Sequence, residues 1–176
     1  CDGQRMVEFS VFRRFIADAI HSSGESALGL IAGSMLLPYH TPVGIGTVTS
    51  GTLGQGLEFF GRHAKLIFGG MQFQLVNDPK WSILTVKPHR PMCETHIFVM
   101  QSIVGDHSRL LEAILGRPAY ELTIGLPYAH PSTQNVPALR YLHHTEFDQE
   151  FLTFRLPAAL LRSPSVSADE SAYLGA

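Results

Sequence analysis

The 176-residue chain has few cysteines, few charged residues and no long apolar run. Its two cysteines, Cys1 and Cys93, lie in no CxxC or Cys-His spacing, which argues against a disulfide framework and fits a reducing cytoplasm. Charged residues make up 16% of the chain and the formal net charge is −2, so no basic field is available to hold nucleic acid. No apolar run reaches the roughly 18–20 residues of a membrane span. We therefore expect a cytoplasmic protein without a membrane segment.

The motifs of the common nucleotide-binding and hydrolytic enzymes are also missing. The chain contains no P-loop, no HExxH and no GxSxG. Gly44 and Gly46 match a dinucleotide-binding GxGxxG only in part, and they follow a predicted helix where that motif requires a strand. Composition and motifs together predict a domain without a visible catalytic set.

Residues that could carry chemistry are present but poorly arranged for it. His143 and His144 are adjacent, so on a helix or a strand they diverge and cannot hold one metal ion together. Cys93 precedes a predicted helix, where a thiol pKa can fall, although a buried structural cysteine is the commoner case. Three alternating carboxylates predict a solvated edge of an extended segment: Glu146, Asp148 and Glu150.

Apolar periodicity predicts helices in the first part of the chain. Residues 6–24 place five apolar side chains near one helix face and end at Gly24, a plausible stop signal. A short helix over 26–36 follows, with Leu28, Ile31 and Leu36 as candidates for burial. The Gly- and Pro-rich stretch 37–51 indicates a loop. Residues 52–67 predict a third helix, because Thr52 and Gln55 have the spacing of a capping box. The face predicted for the first helix consists of Phe9, Phe12, Phe15, Ile16 and Ile20.

Alternating apolar residues predict strands in the second part. Residues 71–88 indicate a β-hairpin around the turn sequence NDPK, and further strands are predicted within 120–128 and 150–157. The longest helix is predicted over 95–116, and a short helix over 136–144. The order predicts an α+β fold, in which a helical N-terminal part precedes a small antiparallel four-stranded sheet (β-β-α-β-α-β) with helices packed on it. Residues 1–162 would form this domain, and the Ser/Ala-rich residues 163–176 would begin a linker.

An ordered series of residues resembles a known family. Its first part is the stretch 29–67, and its last part is the stretch 136–173; Gly29, Gly33, Thr52 and Phe154 are among the matching positions. Together they are similar to the N-terminal, arabinose-binding-like regulatory domain of AraC-type bacterial transcriptional regulators, over roughly residues 25–172. His143 and His144 depart from this pattern, since many members have a Phe-Gly pair there.

The resemblance implies a regulatory domain and no catalysis or cofactor. Such a domain would bind a small-molecule effector, could form a homodimer, and would contact DNA only through a C-terminal helix-turn-helix domain that is not in this chain. We expect the chain to be a fragment of a longer protein. The effector pocket is predicted between the helical part and the sheet, with the following candidate residues: His40, Phe60, His63, Lys65, His96, Met100, Arg140 and Tyr141.

Two other functions remain open at this stage. A haem or gas sensor could use His107, on the longest predicted helix, as a proximal ligand. A small enzyme could use Cys93 or the segment 143–150.

Overall fold

Six α-helices and five β-strands make up the part of the chain that the computed structural model describes, residues 8–129 and 144–176. The helices are α1 (Phe9–Ser23), α2 (Leu28–Met35), α3 (Pro42–Thr49), α4 (Leu53–His63), α5 (His96–Leu115) and α6 (Glu170–Gly175). The strands are β1 (Met71–Asn77), β2 (Trp81–Pro88), β3 (Thr123–Gly125), β4 (His144–Glu146) and β5 (Leu152–Pro157). The predicted α+β class is therefore confirmed.

Local signals fix the ends of the long helices as predicted. Gly24 and Gly116 both adopt the left-handed conformation and end α1 and α5, because glycine takes a positive φ without steric cost. The Thr52 side chain accepts a hydrogen bond from the Gln55 backbone N–H at 3.3 Å and begins α4. That helix ends earlier than predicted, at His63, and a 3₁₀ turn over Ala64–Leu66 follows.

The loop prediction for residues 37–51 is wrong, because a helix occupies most of it. The Thr41 side chain accepts from the Gly44 N–H at 3.0 Å, and Pro42 occupies the first turn of α3, where its missing N–H does no harm. The glycines that indicated a loop serve close packing instead. A Cβ on Gly44 would collide with the Pro38 carbonyl oxygen, and one on Gly46 with the Phe59 ring.

The sheet has five strands and mixed direction, which corrects the prediction of four antiparallel strands. Its order is β1-β2-β5-β3-β4, and β3 pairs parallel with β4 while the other neighbours are antiparallel. The sequence did not indicate β4, because its three residues are mostly exposed and carry no apolar alternation. His144 begins this strand and is not helical; the rest of the helix predicted over 136–144 lies outside the described residues.

The main core lies between one face of the sheet and α5. Met100, Ile103 and Ile114 of α5 are fully buried, and Val86 and Leu152 face them from the central strands. In total, α5 buries ten residues, so it is the central helix of the domain. None of the described helices has the length and apolar character needed to cross a bilayer.

The N-terminal helices bury only part of the apolar faces that the sequence pattern indicates. Only Ile16 of α1 is buried; Phe12 and Ile20 are half-buried, while Phe9 and Phe15 are 46% and 66% exposed. Part of this apolar face is therefore left exposed. In α2 the buried residues are Gly29, Leu30 and Gly33, while Leu28 and Ile31 are half-buried and Leu36 is exposed.

The C-terminal segment is bound to the rest of the fold by its backbone. Leu53 N–H donates to the Ser163 carbonyl, Val166 N–H to the Ile114 carbonyl, and Asp169 N–H to the Thr49 carbonyl, at 2.9–3.0 Å. Ser165 is buried and its hydroxyl donates to the Val48 carbonyl at 2.6 Å. Residues 163–169 thus belong to the packed body; that a linker to another domain begins in 163–176 stays a prediction.

Candidate ligand cleft

A surface cleft of about 550 Å³ lies between α4 and the C-terminal segment. One wall is formed by Gln55, Glu58 and Arg62, which share a face of α4 because they are three and four residues apart. The opposite wall comes from Asp169, Glu170 and Tyr173, and Thr49, Gly51 and Ala168 complete the lining. The volume falls in the range of small-molecule sites.

The charges in the cleft are unbalanced. Three carboxylates line it, on Glu58, Asp169 and Glu170, against the single guanidinium of Arg62. Arg62 makes no ion pair within residues 8–129 and 144–176; its Nε donates to the Glu58 backbone carbonyl at 3.3 Å. The guanidinium can therefore pair with an acceptor of a ligand, while the surplus of carboxylates favours a ligand that also carries a donor or a positive group.

Local contacts hold the C-terminal wall in place. The Asp169 carboxylate accepts from the Ala172 N–H at 3.0 Å and so caps α6. The Tyr173 ring packs against the Phe59 ring of α4, with centroids 5.4 Å apart. A ligand in the cleft would thus contact both α4 and the short C-terminal segment that packs against α4.

The predicted pocket residues do not meet in this cleft. His40 and Lys65 are exposed, and His63 is half-buried with its Nδ1 2.8 Å from the Phe59 carbonyl. Phe60 and Met100 are 1% and 0% exposed and belong to the core. None of the six candidates that the structure describes lines the cleft. His96 is half-buried at the start of α5, where burial lowers its pKa; Arg140 and Tyr141 lie outside the described residues.

Sequence reasoning did not select the residues of the cleft. Gln55, Glu58 and Arg62 form the ordinary polar face of an amphipathic helix, and the sequence contains no sign that another segment packs opposite them. The available signal was their i, i+3, i+7 spacing together with the capping aspartate of a short helix, Asp169.

His107 is the most buried titratable group that the structure describes. Its ring stacks on Phe154 and Phe73, with centroids 4.8 and 5.9 Å away, and meets the edge of Phe60 at 4.7 Å. Its Nδ1 bonds the Ile103 carbonyl at 3.0 Å, and its Nε2 is buried without a hydrogen-bond partner among the described residues. Because the side chain is 2% exposed and Nε2 is itself buried, the packing leaves no open space for a porphyrin at this nitrogen, which argues against the haem hypothesis.

Burial changes the protonation of His107 and its neighbour. It lowers the pKa of His107 to about 4 and raises the pKa of Asp106 to about 6. Nδ1 and the Asp106 carboxylate are 3.6 Å apart, but the imidazole is neutral at pH 7, so the two groups form no ion pair there.

The enzyme hypotheses gain no support from the described residues. Cys93 is exposed and not buried, and none of the hydrogen bonds in the described part places a histidine on its thiol. Glu146 pairs with Arg155 at 2.8 Å across the sheet, while Asp148 and Glu150 are exposed, which fits a solvated edge. No group of three potential metal ligands is found within 8–129 and 144–176.

Residues 2–165 of this chain match the model of a protein family, the N-terminal arabinose-binding domain of AraC transcription regulators. The chain belongs to this family. The resemblance found in the sequence is thus confirmed. No curated protein matches the chain.

A solved structure shows the same fold as this regulator domain. The crystal structure of transcriptional regulator CdpR from Pseudomonas aeruginosa superposes with a TM-score of 0.70 at 15% sequence identity. The match covers 97% of this chain and 61% of that chain. The domain therefore spans about three fifths of the regulator whose fold it shares.

Proposed function

We propose that this chain is the effector-sensing and dimerisation domain of its regulator, and that it controls DNA binding by a separate C-terminal domain. The observation that carries the proposal is the family match over residues 2–165. The net charge of −2 agrees with a domain that leaves DNA contact to another part of the protein.

The proposed effector site is the cleft between α4 and residues 168–173. A ligand that bridges Arg62 and Tyr173 would contact the body of the domain and the C-terminal segment at the same time. Such a ligand favours the arrangement in which both walls are in place, and it shifts the population toward that arrangement by its difference in affinity. The backbone bond from Asp169 to Thr49 connects this segment to the end of α3, so a change in the cleft can reach the helical layer.

A thermal-shift screen tests the sensing role. The chain is heated with amino acids, fatty acids and sugars, each at millimolar concentration. We expect at least one class to raise the melting temperature by several degrees, because a ligand at about 100 times its Kd stabilises the native state by ~2.7 kcal/mol. Arg62→Ala should abolish the shift.

The matched control is Arg14→Ala, which removes an exposed arginine on α1, an element outside the lining of the cleft. It should leave the shift intact. If no compound raises the melting temperature, effector sensing by this chain is rejected, although its family and fold stand. If a shift survives Arg62→Ala, the effector site lies elsewhere in the domain.

A further inference from the structure

Strand β1 is an edge of the sheet, and its outer side has a definite set of hydrogen-bonding groups. Within residues 8–129 and 144–176 its partner is β2, in a continuous register from Met71↔Pro88 to Asn77↔Ser82. His89 N–H donates to the Gly70 carbonyl at 2.9 Å, so the even-numbered residues of this register bond to β2. In an antiparallel ladder the backbone N–H and C=O groups of the alternate residues point away from the partner strand, so those of the odd-numbered residues of β1 point outward. Pro88 can lie opposite Met71 because this pair exchanges no hydrogen bond.

The outward-pointing backbone N–H and C=O groups of Phe73 and Leu75 have no hydrogen-bond partner in the part of the chain that the structure describes. Met71 N–H is satisfied by the Phe68 carbonyl at 2.9 Å, but no such bond exists for the two residues farther along the strand. Both side chains are only half-buried on the core face. The edge thus presents unpaired N–H and C=O groups beside incompletely covered apolar side chains.

The sequence of β1 carries none of the usual protection of an exposed edge. MQFQLVN contains no charge, no proline and no glycine, and its seven residues pair with β2 without a bulge. Natural edge strands are usually blocked by Lys, Pro, bulges or covering segments, because an unprotected edge pairs with another chain. An uncharged, seven-residue edge therefore indicates a partner strand.

We propose that β1 pairs antiparallel with β1 of a second copy of this chain, with Gln74 on the twofold axis. This register places Phe73 opposite the partner's Leu75, and Leu75 opposite the partner's Phe73, and both residues turn their free groups outward. Each pair exchanges two main-chain hydrogen bonds. The two sheets become one continuous sheet, and the interface is isologous.

The side chains of β1 match their own reverse order, which favours a second copy as the occupant. On the core face, an aromatic ring meets a leucine at both positions, and such cross-strand pairs stabilise a sheet. On the other face, Gln74 meets the partner's Gln74, where two amides can exchange hydrogen bonds, and exposed Val76 meets the partner's Gln72. Because the strand is uncharged, no like charges oppose each other at any position.

Three exposed apolar side chains lie in β1 or in the chain shortly before it. Leu66 is 72% and Ile67 38% exposed in the turn that leads into β1, and Val76 within the strand is 52% exposed. The inference deepens the dimerisation part of the proposed function by naming the partner and the surface. It does not depend on the cleft or on any ligand.

Charge-swap variants at Gln74 test both the surface and the register. Gln74→Glu or Gln74→Lys places like charges directly opposite each other at the axis, and each should weaken the homodimer on the order of ten- to a hundredfold. A 1:1 mixture of the two variants should recover dimerisation as the mixed species. Sedimentation velocity gives the dissociation constants, and native mass spectrometry identifies the mixed dimer.

Gln72→Glu and Gln72→Lys are the matched controls on the same strand and face. In the proposed register the two copies of residue 72 lie about 13 Å apart along the strands, beyond a Debye length at physiological salt, so these variants should weaken the dimer less and show little preference for the mixed species. Far-ultraviolet circular dichroism and the melting temperature establish that every variant folds.

Three results would overturn the inference. The first is a wild-type chain that remains monomeric at 100 μM or more. The second is a dimer that Gln74→Glu leaves intact but Phe15→Ser dissociates, which would place the interface on the exposed face of α1. The third is equal recovery in both mixtures, which would mean a different register. A failed ligand screen has no bearing on these measurements, so the two proposals fail separately.

Discussion

At the scale of single residues, the pair Asp106 and His107 shows how burial alone can set protonation. The pKa of His107 falls from 6.5 to about 4 and that of Asp106 rises from 3.8 to about 6, both through desolvation. Each pKa difference corresponds to ~3 kcal/mol in the free energy of unfolding, and the two contributions change in opposite directions as the pH falls. Between pH 6.5 and 4, His107 is protonated in the unfolded chain but stays neutral in the folded chain. The histidine contribution therefore decreases stability as the pH falls to 4. Between pH 6 and 3.8 the folded chain holds a proton at residue 106 that the unfolded chain releases, so this contribution increases stability as the pH falls.

Single substitutions should separate these opposing contributions. We expect Asp106→Asn to remove the aspartate contribution, so that only the histidine contribution remains. The free energy of unfolding should then decrease from pH 6.5 to pH 4 by more than in the wild type. His107→Leu should leave the aspartate term, so that its free energy of unfolding decreases less on acidification than that of the wild type. Urea denaturation at pH 4, 5, 6 and 7 measures both slopes. Parallel profiles for the two variants and the wild type would show that neither group has a shifted pKa.

At the scale of elements, the contact between α2 and α5 depends on glycine. A Cβ on Gly29 would collide with the Phe98 carbonyl oxygen, one on Gly33 with the Ser102 carbonyl oxygen, and one on Gly105 would come within 2.5 Å of the Ser34 nitrogen. The two helix backbones therefore touch directly. Apolar periodicity could not predict this packing, because it assigns buried faces to large side chains, whereas α2 buries its two glycines beside Leu30 and leaves Leu28 and Ile31 half-buried.

Gly33→Ala should therefore destabilise the domain, although alanine is the better helix former. The added methyl group meets backbone atoms that cannot move independently, and we expect a loss of about 1–3 kcal/mol. Gly61→Ala is the matched control on α4, where no atom of the described residues lies within 4 Å of the added Cβ, and it should gain about 0.5–1 kcal/mol. Chemical denaturation of both variants tests the contrast. A neutral or stabilising Gly33→Ala would show that the two backbones are farther apart than described.

At the scale of the whole molecule, the sequence predicts the parts that local chemistry determines. The NDPK hairpin is an example: the Asp78 carboxylate accepts from the Lys80 and Trp81 N–H groups, both at 2.7 Å, as turn propensity indicates. The caps of α1, α4 and α5 were predictable for the same reason. The parallel pairing of β3 with β4 was not, because three exposed residues carry no periodic signal and their place depends on the crossover between the strands. The cleft was not predictable either, since its walls are more than 100 residues apart and ordinary in composition.

At this scale we propose a link between the two parts of the proposed function: effector binding in the cleft changes the dimerisation of the domain. The most direct measurement is the dimer dissociation constant, by sedimentation velocity, with and without a compound that raises the melting temperature of the chain. If the cleft and the dimer edge are coupled, saturating compound should change this constant by about fivefold or more, the usual range of allosteric coupling. A compound that binds and stabilises the chain yet leaves the dissociation constant unchanged would contradict the account.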